Sequence, residues 1–431
     1  MMPGGKANRN LAEYTGKHSM KIRSVQAFLL SYPLPGPPTL TYFGGERTIV
    51  KRDAMLIRVE ANGVVGYAPG AASEHWKQQI ETVIGPFLEG RAAMDADALR
   101  IQFQQLHPDE RELLKIYCCV EVAIYDLIGK AKGLPVSELL GGRIRDRIRL
   151  YGSAGMYMPP EEYAAEAALT KSLGFSAYKM RPALGPEEDL RTVKLMREAT
   201  GPDFGLMVDA HTWWRMGDRS YSADTIAKLA GEMAEYELTW LEEPLPPDDH
   251  DAYRRLKELD LLPLASGEHE PNEAGFLDLL VGPCVDYVQM DVVCQGGYSM
   301  GRRIFAEIAR TEARFAFHCW GTDLEVIAAA QIGICWPDTV VEWLEYPCYS
   351  TPGRKFMYPF PLAQDILKTP LEIVEGNLIV PVKPGLGVEV DESVIERYPW
   401  IPGPWSHFTL ISPNETFAVT ADHSIKWTDK K

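Results

Sequence analysis

The chain is short of the features that mark several large classes of protein. Its 431 residues include only seven cysteines: Cys118, Cys119, Cys284, Cys294, Cys319, Cys335 and Cys348. The number is odd, and no Cys-x-x-Cys pair occurs. That argues against a disulfide framework and against a zinc ribbon, and it fits a reducing cytoplasm. No apolar run approaches the roughly 18 residues needed to cross a bilayer. Positive charge is in deficit, with 44 Lys and Arg against 60 Asp and Glu and a net charge of −16. Nucleic acid and anionic membrane are therefore disfavoured as partners. An anionic small-molecule substrate would need positive charge gathered inside its site. The first residues are polar and lack the apolar core of a secretory signal. Residues 1–19 are expected to be a disordered leader, with Met20 a second candidate start. Low-complexity segments and short-period repeats are also missing.

What is present is the composition of a soluble globular protein, 46% apolar and 24% charged. The length implies two domains. Residues 20–32 alternate apolar and polar and read as a strand. Residues 54–60 and 64–68 are two more, joined by the Asn62-Gly63 turn. Pro35-Gly36-Pro37-Pro38 and Phe43-Gly44-Gly45 mark a loop between the first two strands. Helical patterns cover residues 73–88, 96–104 and 109–131. Together these predict an α+β domain over 20–146.

From about Arg147 short apolar runs alternate with helical stretches. The runs are 148–154, 177–181, 205–209, 238–242, 264–268, 287–291, 314–318 and 340–345. Eight βα units predict an α/β fold, a closed (β/α)8-type barrel over 147–365. Residues 371–380 read as a returning pair of strands around Glu375-Gly376-Asn377. The segment 366–431 ends in a polar tail.

In such a barrel the C-terminal ends of the strands face the active site. In order they offer Lys179 and Arg181, Asp209 and His211, Glu242, Glu268 and His269, Asp291, His318, and Glu345. Every strand after the first ends in an ionisable group. As plain solvated loop starts, these would crowd charge into one mouth at high cost. Asp209, Glu242 and Glu268 are hard oxygen ligands. With no thiolate and no His pair at helical spacing, Mg²⁺ suits them better than zinc. Glu242-Glu243-Pro244 leaves open which glutamate is the ligand, since strand alternation turns only one of the two inward. The same alternation puts Lys179 and Arg181 on one face. Asp291 and His318 lie on neighbouring strands, where a carboxylate can fix the imidazole tautomer and raise its basicity. His211 and His269 could bind substrate, and His211 could equally support the metal.

These residues resemble the enolase superfamily, in its mandelate racemase-like subgroup. The resemblance rests on Val208-Asp209-Ala210-His211, Trp240-Leu241-Glu242-Glu243-Pro244, Ser266-Gly267-Glu268-His269, Asp291 before Gly296-Gly297, His318 and Trp343-Leu344-Glu345. It implies a modified TIM barrel whose α+β capping domain is completed by the C-terminal segment. It implies Mg²⁺ on Asp209, Glu242 and Glu268, an Asp291–His318 dyad, and Glu345 as the acid that hydrogen-bonds the substrate carboxylate. It also implies a homo-oligomer, from dimer to octamer. Within the subgroup the look is of rhamnonate-type acid-sugar dehydratases. Two departures stand out: Lys179-Met180-Arg181 where Lys-x-Lys is usual, and His211 two residues after Asp209.

The expected chemistry is abstraction of a proton α to a carboxylate by His318, then loss of the β-hydroxyl to give a 2-keto-3-deoxy acid. Lys179 and Arg181 would help stabilise the enediolate. His318 or His211 would protonate the leaving group. A racemase or epimerase using Lys179 as second base, and a lactone cycloisomerase, are the alternatives. A non-catalytic binding protein on the same barrel should have lost a ligand or a dyad member, and none is missing. Specificity is expected from Tyr42, Phe43 and Arg47 in the cap loop, and from His269, Trp213, Trp214 and Trp320 near the mouth.

Overall fold

The computed structural model describes residues 20–348, 354 and 357–411. The expected leader and polar tail lie outside the described residues. The N-terminal region holds β1 (Ile22–Pro33), β2 (Thr39–Tyr42), β3 (Gly45–Ile49), β4 (Lys51–Ala61) and β5 (Val64–Gly70). β1, β4 and β5 form one antiparallel sheet in the order β1-β4-β5. The stretch read as a loop contains the hairpin β2–β3. Its strands are only four and five residues long, and the Pro and Gly around them outweighed their alternating burial. The helix Arg111–Lys132 packs its apolar face on β4 and β5 and stops at Gly133, whose φ of 68° suits glycine.

The barrel follows as β6 (Arg147–Met156), β7 (Ala177–Arg181), β8 (Gly205–Asp209), β9 (Trp240–Glu242), β10 (Leu264–Ser266), β11 (Tyr287–Met290), β12 (Arg314–Phe317) and β13 (Val341–Pro347). Each strand pairs in parallel with the next, and β13 closes the ring on β6. β7 and β8 have the bounds read from sequence. Glu268, Asp291 and His318 sit just beyond their strands rather than within them.

The C-terminal segment does not simply complete the cap. The hairpin β14 (Ile373–Val374) and β15 (Asn377–Ile379) pairs antiparallel with β6 at Arg147–Arg149. β7 reaches β6 only from Gly152 onward, so that edge is free to accept another strand. Further on, Pro399 bridges Leu30 and β16 (Ser406–Leu410) pairs with β3. That later part does join the cap.

One buried layer fixes the site above it. Tyr151, Ala177, Met207, Trp240, Ala265, Tyr287, Ala316 and Trp343 form a separate apolar cluster, one residue from each barrel strand. Side chains alternate along a strand, so the next inward layer lies two residues further on. That layer is Ser153, Lys179, Asp209, Glu242, Gly267, Gln289, His318 and Glu345. The polar ring therefore follows from the apolar floor by strand period alone. Gly267, with φ of 132°, lies so close to the Gln289 backbone that a Cβ would collide with its carbonyl.

Candidate active site

Lys179 is fully buried at the centre of the ring. Its Nζ lies 2.6 Å from Glu242 Oε1, 3.1 Å from Glu345 Oε1 and 3.6 Å from Asp209 Oδ2. Burial opposes its charge, but Glu242, Glu345 and Asp209 together hold its pKa above the ordinary lysine value. Arg181 Nε is 3.0 Å from Asp209 Oδ2 and its Nη2 is 3.3 Å from Glu345 Oε1. Its guanidinium stacks 3.9 Å above the Trp320 ring. Both cations thus serve the same carboxylates, as the shared face of β7 required.

Glu242 is saturated. Besides Lys179, its Oε2 accepts from Trp240 Nε1 at 2.9 Å and Gln289 Nε2 at 2.8 Å. Burial, opposed by Lys179 and reinforced by Asp209, Glu268 and Glu345, still pushes its pKa up to about 8. Glu243 is buried too, contrary to the expectation that only one of the pair turns inward. Its φ of 41° breaks the strand alternation. The Glu243 carboxylate accepts from His269 Nδ1 at 2.7 Å, while His269 Nε2 meets Arg215 at 2.9 Å. His211 Nδ1 donates to Asp209 Oδ1 at 2.6 Å. Burial pushes the His211 pKa below its ordinary value although Asp209 pulls the other way. The neutral ring therefore props the carboxylate and keeps Nε2 for other use.

The far side of the ring is looser. His318 Nε2 is 3.3 Å from Glu268 Oε2 and 4.0 Å from Glu345 Oε2, and its Nδ1 is 3.6 Å from Asp291 Oδ2. Burial disfavours the imidazolium, but Glu268, Asp291 and Glu345 raise its pKa to about 10. Neutralising Glu268 would let the ring lose its proton nearer neutral pH.

Two buried carboxylate oxygens accept no hydrogen bond among the described residues: Asp209 Oδ2, which has the Arg181 cation beside it at 3.0 Å, and Glu268 Oε2, which has only His318 at 3.3 Å. Buried acceptors left this way are costly unless a cation meets them. Glu243, Glu268 and His269 also bring ligand atoms to within 4.8 Å of one another. The carboxylates of these two groups, with Glu268 Oε2 unmet, fit a hard divalent cation. Asp209, Glu268 and one of Glu242 and Glu243 could hold it.

The family profile described as enolase C-terminal domain-like matches residues 162–394, which include every ionisable group of this ring. The chain belongs to the enolase superfamily. Residues 40–141 match the N-terminal domain of mandelate racemase and muconate lactonizing enzyme, which places the chain in the mandelate racemase-like subgroup. It is 28% identical to a D-galactarolactone cycloisomerase of Agrobacterium fabrum over 88% of this chain and 99% of the relative. It is 30% identical to an L-rhamnonate dehydratase of Saccharopolyspora erythraea over 80% of this chain and 85% of the relative. Among solved structures, the 3,6-anhydro-D-galactonate cycloisomerase of Zobellia galactanivorans superposes with a TM-score of 0.74 at 28% identity, covering 88% of this chain and 99% of that one. A superfamily member from Polaromonas sp. JS666 gives a TM-score of 0.77 at 29% identity, covering 89% and 99%. Enolase superfamily members are enzymes that typically use Mg²⁺. No helix among the described residues of this one is long and apolar enough to cross a membrane.

The residues expected at the rim of this superfamily site have different fates. Trp320 is at the mouth, against Arg181 and stacked on Tyr358 at 4.4 Å. Tyr42 is buried and stacks on Tyr157 at 4.8 Å. Arg47 is buried between Trp405, Met156 and Ser406. Phe43 packs edge-on against Tyr221. Trp213 and Trp214 do not line the mouth: they are buried, with their indole N–H groups donating to Asp189 and to the Glu243 carbonyl. Sequence reading passed over Gln289, Arg215 and Glu325. Counting two residues on from Tyr287 in the floor layer would have found Gln289. Arg215 reaches His269 across the fold and left no local signal. Arg52, also passed over, is buried against Tyr358 and Trp405, and its Nε and Nη2 meet no acceptor among the described residues.

Proposed function

We propose that the protein is a sugar-acid dehydratase that works by a one-base β-elimination. The observation that carries this reading is the state of the two β7 cations. Lys179 is paired with Glu242, Glu345 and Asp209, and of these Glu345 at 3.1 Å would stay beside it as an ion-pair partner with the other two on a metal. Arg181 stays charged at any working pH. Neither can act as a second base opposite His318, which a racemase would require.

His318 Nε2 faces the ring and would take the α-proton while Nδ1 stays turned to Asp291. The electron pair of the C–H bond moves into the carboxylate to form an enediolate, which then returns it and expels the β-oxygen. The leaving hydroxyl takes a proton from His318 and departs as water; His211 Nε2, a bare lone pair in the neutral ring, would have to be protonated first to serve instead. The enol product tautomerises to a 2-keto-3-deoxy acid. Magnesium on Asp209, Glu268 and Glu242 or Glu243 would supply positive charge to the reacting carboxylate. Lys179 and Arg181 add positive charge beside it. Glu345 lies between them; burial favours its acid form, but Lys179, His318 and Arg181 outweigh burial and hold its pKa below the ordinary glutamate value, so it would need to gain a proton before donating to the substrate carboxylate.

A second reading shares every step but the last. If the β-oxygen belongs to a ring, its expulsion opens the ring and no water is lost. The product is then an isomer. The cycloisomerase relatives favour this variant as strongly as the rhamnonate dehydratase favours the first. Incubating the magnesium-loaded protein with a panel of aldonic and aldaric acids and their lactones, followed by mass spectrometry, separates the two. A keto acid lighter by one water supports dehydration. A keto acid of unchanged mass supports ring opening. An epimer carrying solvent deuterium at the α-carbon, without keto acid, overturns both.

A further inference from the structure

After β11 the chain makes one wide helical turn, Val292–Gly296, before the helix Gly297–Ile308. Asp291 caps that turn. Its Oδ1 accepts from the Val293 and Cys294 amides at 2.9 and 2.8 Å, and its carbonyl accepts from the Gln295 amide at 2.9 Å. The other carboxylate oxygen, Oδ2, is the atom 3.6 Å from His318 Nδ1. How Asp291 meets His318 therefore depends on what holds the turn.

A buried side chain holds it. Gln295 Oε1 accepts from the Asp291 backbone amide at 2.8 Å. Gln295 Nε2 donates to the Glu268 carbonyl at 2.5 Å and to the Gly267 and Glu270 carbonyls at 3.2 Å each, all just beyond β10. The task needs an acceptor at one end and a donor at the other, which a primary amide supplies. A carboxylate would set an acceptor against three carbonyls, and a thioether would leave both ends unmet. One amide thus joins the backbone of Glu268 to the backbone of Asp291. These are the residues that face opposite nitrogens of the His318 ring, Glu268 at Nε2 and Asp291 at Nδ1.

We propose that Gln295 is a positioning residue shared by the two parts of the site: by tying the end of β10 to the end of β11, it sets where the carboxylates of Glu268 and Asp291 stand around His318. The proposal rests on reading Glu268 as a metal ligand and His318 as the base. The fold supplies its own comparison in Gln331, fully buried on the helix Asp323–Gly333. Gln331 makes the same kind of backbone clamp away from the ring. Its Oε1 accepts from the Ser137 amide at 3.0 Å, and its Nε2 donates to the Leu386 and Pro381 carbonyls at 3.0 and 3.4 Å.

The test compares Gln295→Met with Gln331→Met in the full chain. Magnesium affinity is read by calorimetry without substrate, kcat with the acid returned by the panel above, and stability by thermal melting. Both variants are expected to melt lower than the parent. Gln295→Met is expected to weaken magnesium binding by about tenfold or more and to lower kcat by about as much. Gln331→Met is expected to leave both within about twofold of the parent, since its partners lie outside the ring. Parental affinity and kcat in Gln295→Met, or equal losses in Gln331→Met, overturn the proposal. If Gln295→Met does not fold, Gln295→Asn decides, because the same amide one methylene shorter cannot span both backbones. Weaker magnesium binding and lower kcat in that variant support the role, and parental values overturn it. A Glu268→Gln variant that binds magnesium as the parent does, or a His318→Asn variant that keeps turnover, sinks the underlying reading instead, and so the two failures are distinguishable.

Discussion

The two halves of the barrel ring are built to different standards. On the side formed by β7–β9 with Glu345 of β13, Lys179, Arg181, Asp209, Glu242 and Glu345 are locked by ion pairs and hydrogen bonds, several of them under 3.2 Å. On the β10–β12 side, Glu268, Asp291 and His318 stand 3.3 to 3.6 Å apart with unmet hydrogen-bonding atoms. The first half provides fixed charge. The second half is the one proposed to move a proton, because its contacts are longer and leave hydrogen-bonding atoms unmet. Preorganised charge beside a mobile base is what α-proton abstraction needs.

The contrast can be broken from either side. The largest effect is expected from His318→Asn. It should lower turnover by about a thousandfold or more, with circular dichroism unchanged, since removing a general base forfeits that much. Turnover within tenfold of the parent would remove the loose half from the chemistry. Next is Lys179→Met, which strands three carboxylates beside Arg181 alone. A loss of about 3–5 kcal/mol in urea unfolding without metal is expected. Glu268→Gln, in the loose half, should cost less than about 1 kcal/mol or even stabilise the metal-free protein. Similar costs for both would erase the distinction.

Magnesium should bridge the halves. At a hundred times its dissociation constant it should add about 2.7 kcal/mol of stability, lost on chelation. Loss of the effect in Glu268→Gln, and a separate comparison of Glu242→Gln with Glu243→Gln, would show which glutamate shares the ion. The smallest effect lies outside the ring. His250 is bound to Glu270 at 2.8 Å and Asp278 at 2.5 Å, and these partners raise its pKa to about 9 against the pull of burial. A raised histidine pKa stabilises fully below its unfolded value of about 6.5. That contribution fades as pH climbs through about 9. After allowance for solvent screening it is about 1 kcal/mol or less. A His250→Ala variant should lose the corresponding slope in a melting series from pH 6 to 10, and a parallel slope would count against the assignment.

Much of this could be read before folding was considered. Residues 177–181 and 205–209 carried their own bounds, because an apolar run ending in a charge has one sensible place in a barrel. The pairing of Lys179 with Arg181 followed from period-two alternation. The β2–β3 hairpin was hidden by its Pro and Gly neighbours, and β15 docked on an edge of β6 that only the finished sheet exposes. Glu243 was misjudged because alternation was carried past the strand end into a residue with positive φ. Trp213 and Trp214 looked like rim residues by position, yet their N–H groups found buried acceptors.

The sequence by itself determined the eight strands, the order of the ionisable ends and the superfamily. Those depend on periodicity and on local motifs, which need no partner across the fold. Only the tertiary structure decided which of those charges are spent on each other and which are left unmet. That division depends on distances between strands far apart in the chain, and on a closed ring in which Lys179 meets carboxylates at 2.6 and 3.1 Å while His318 meets its own only at 3.3 to 4.0 Å.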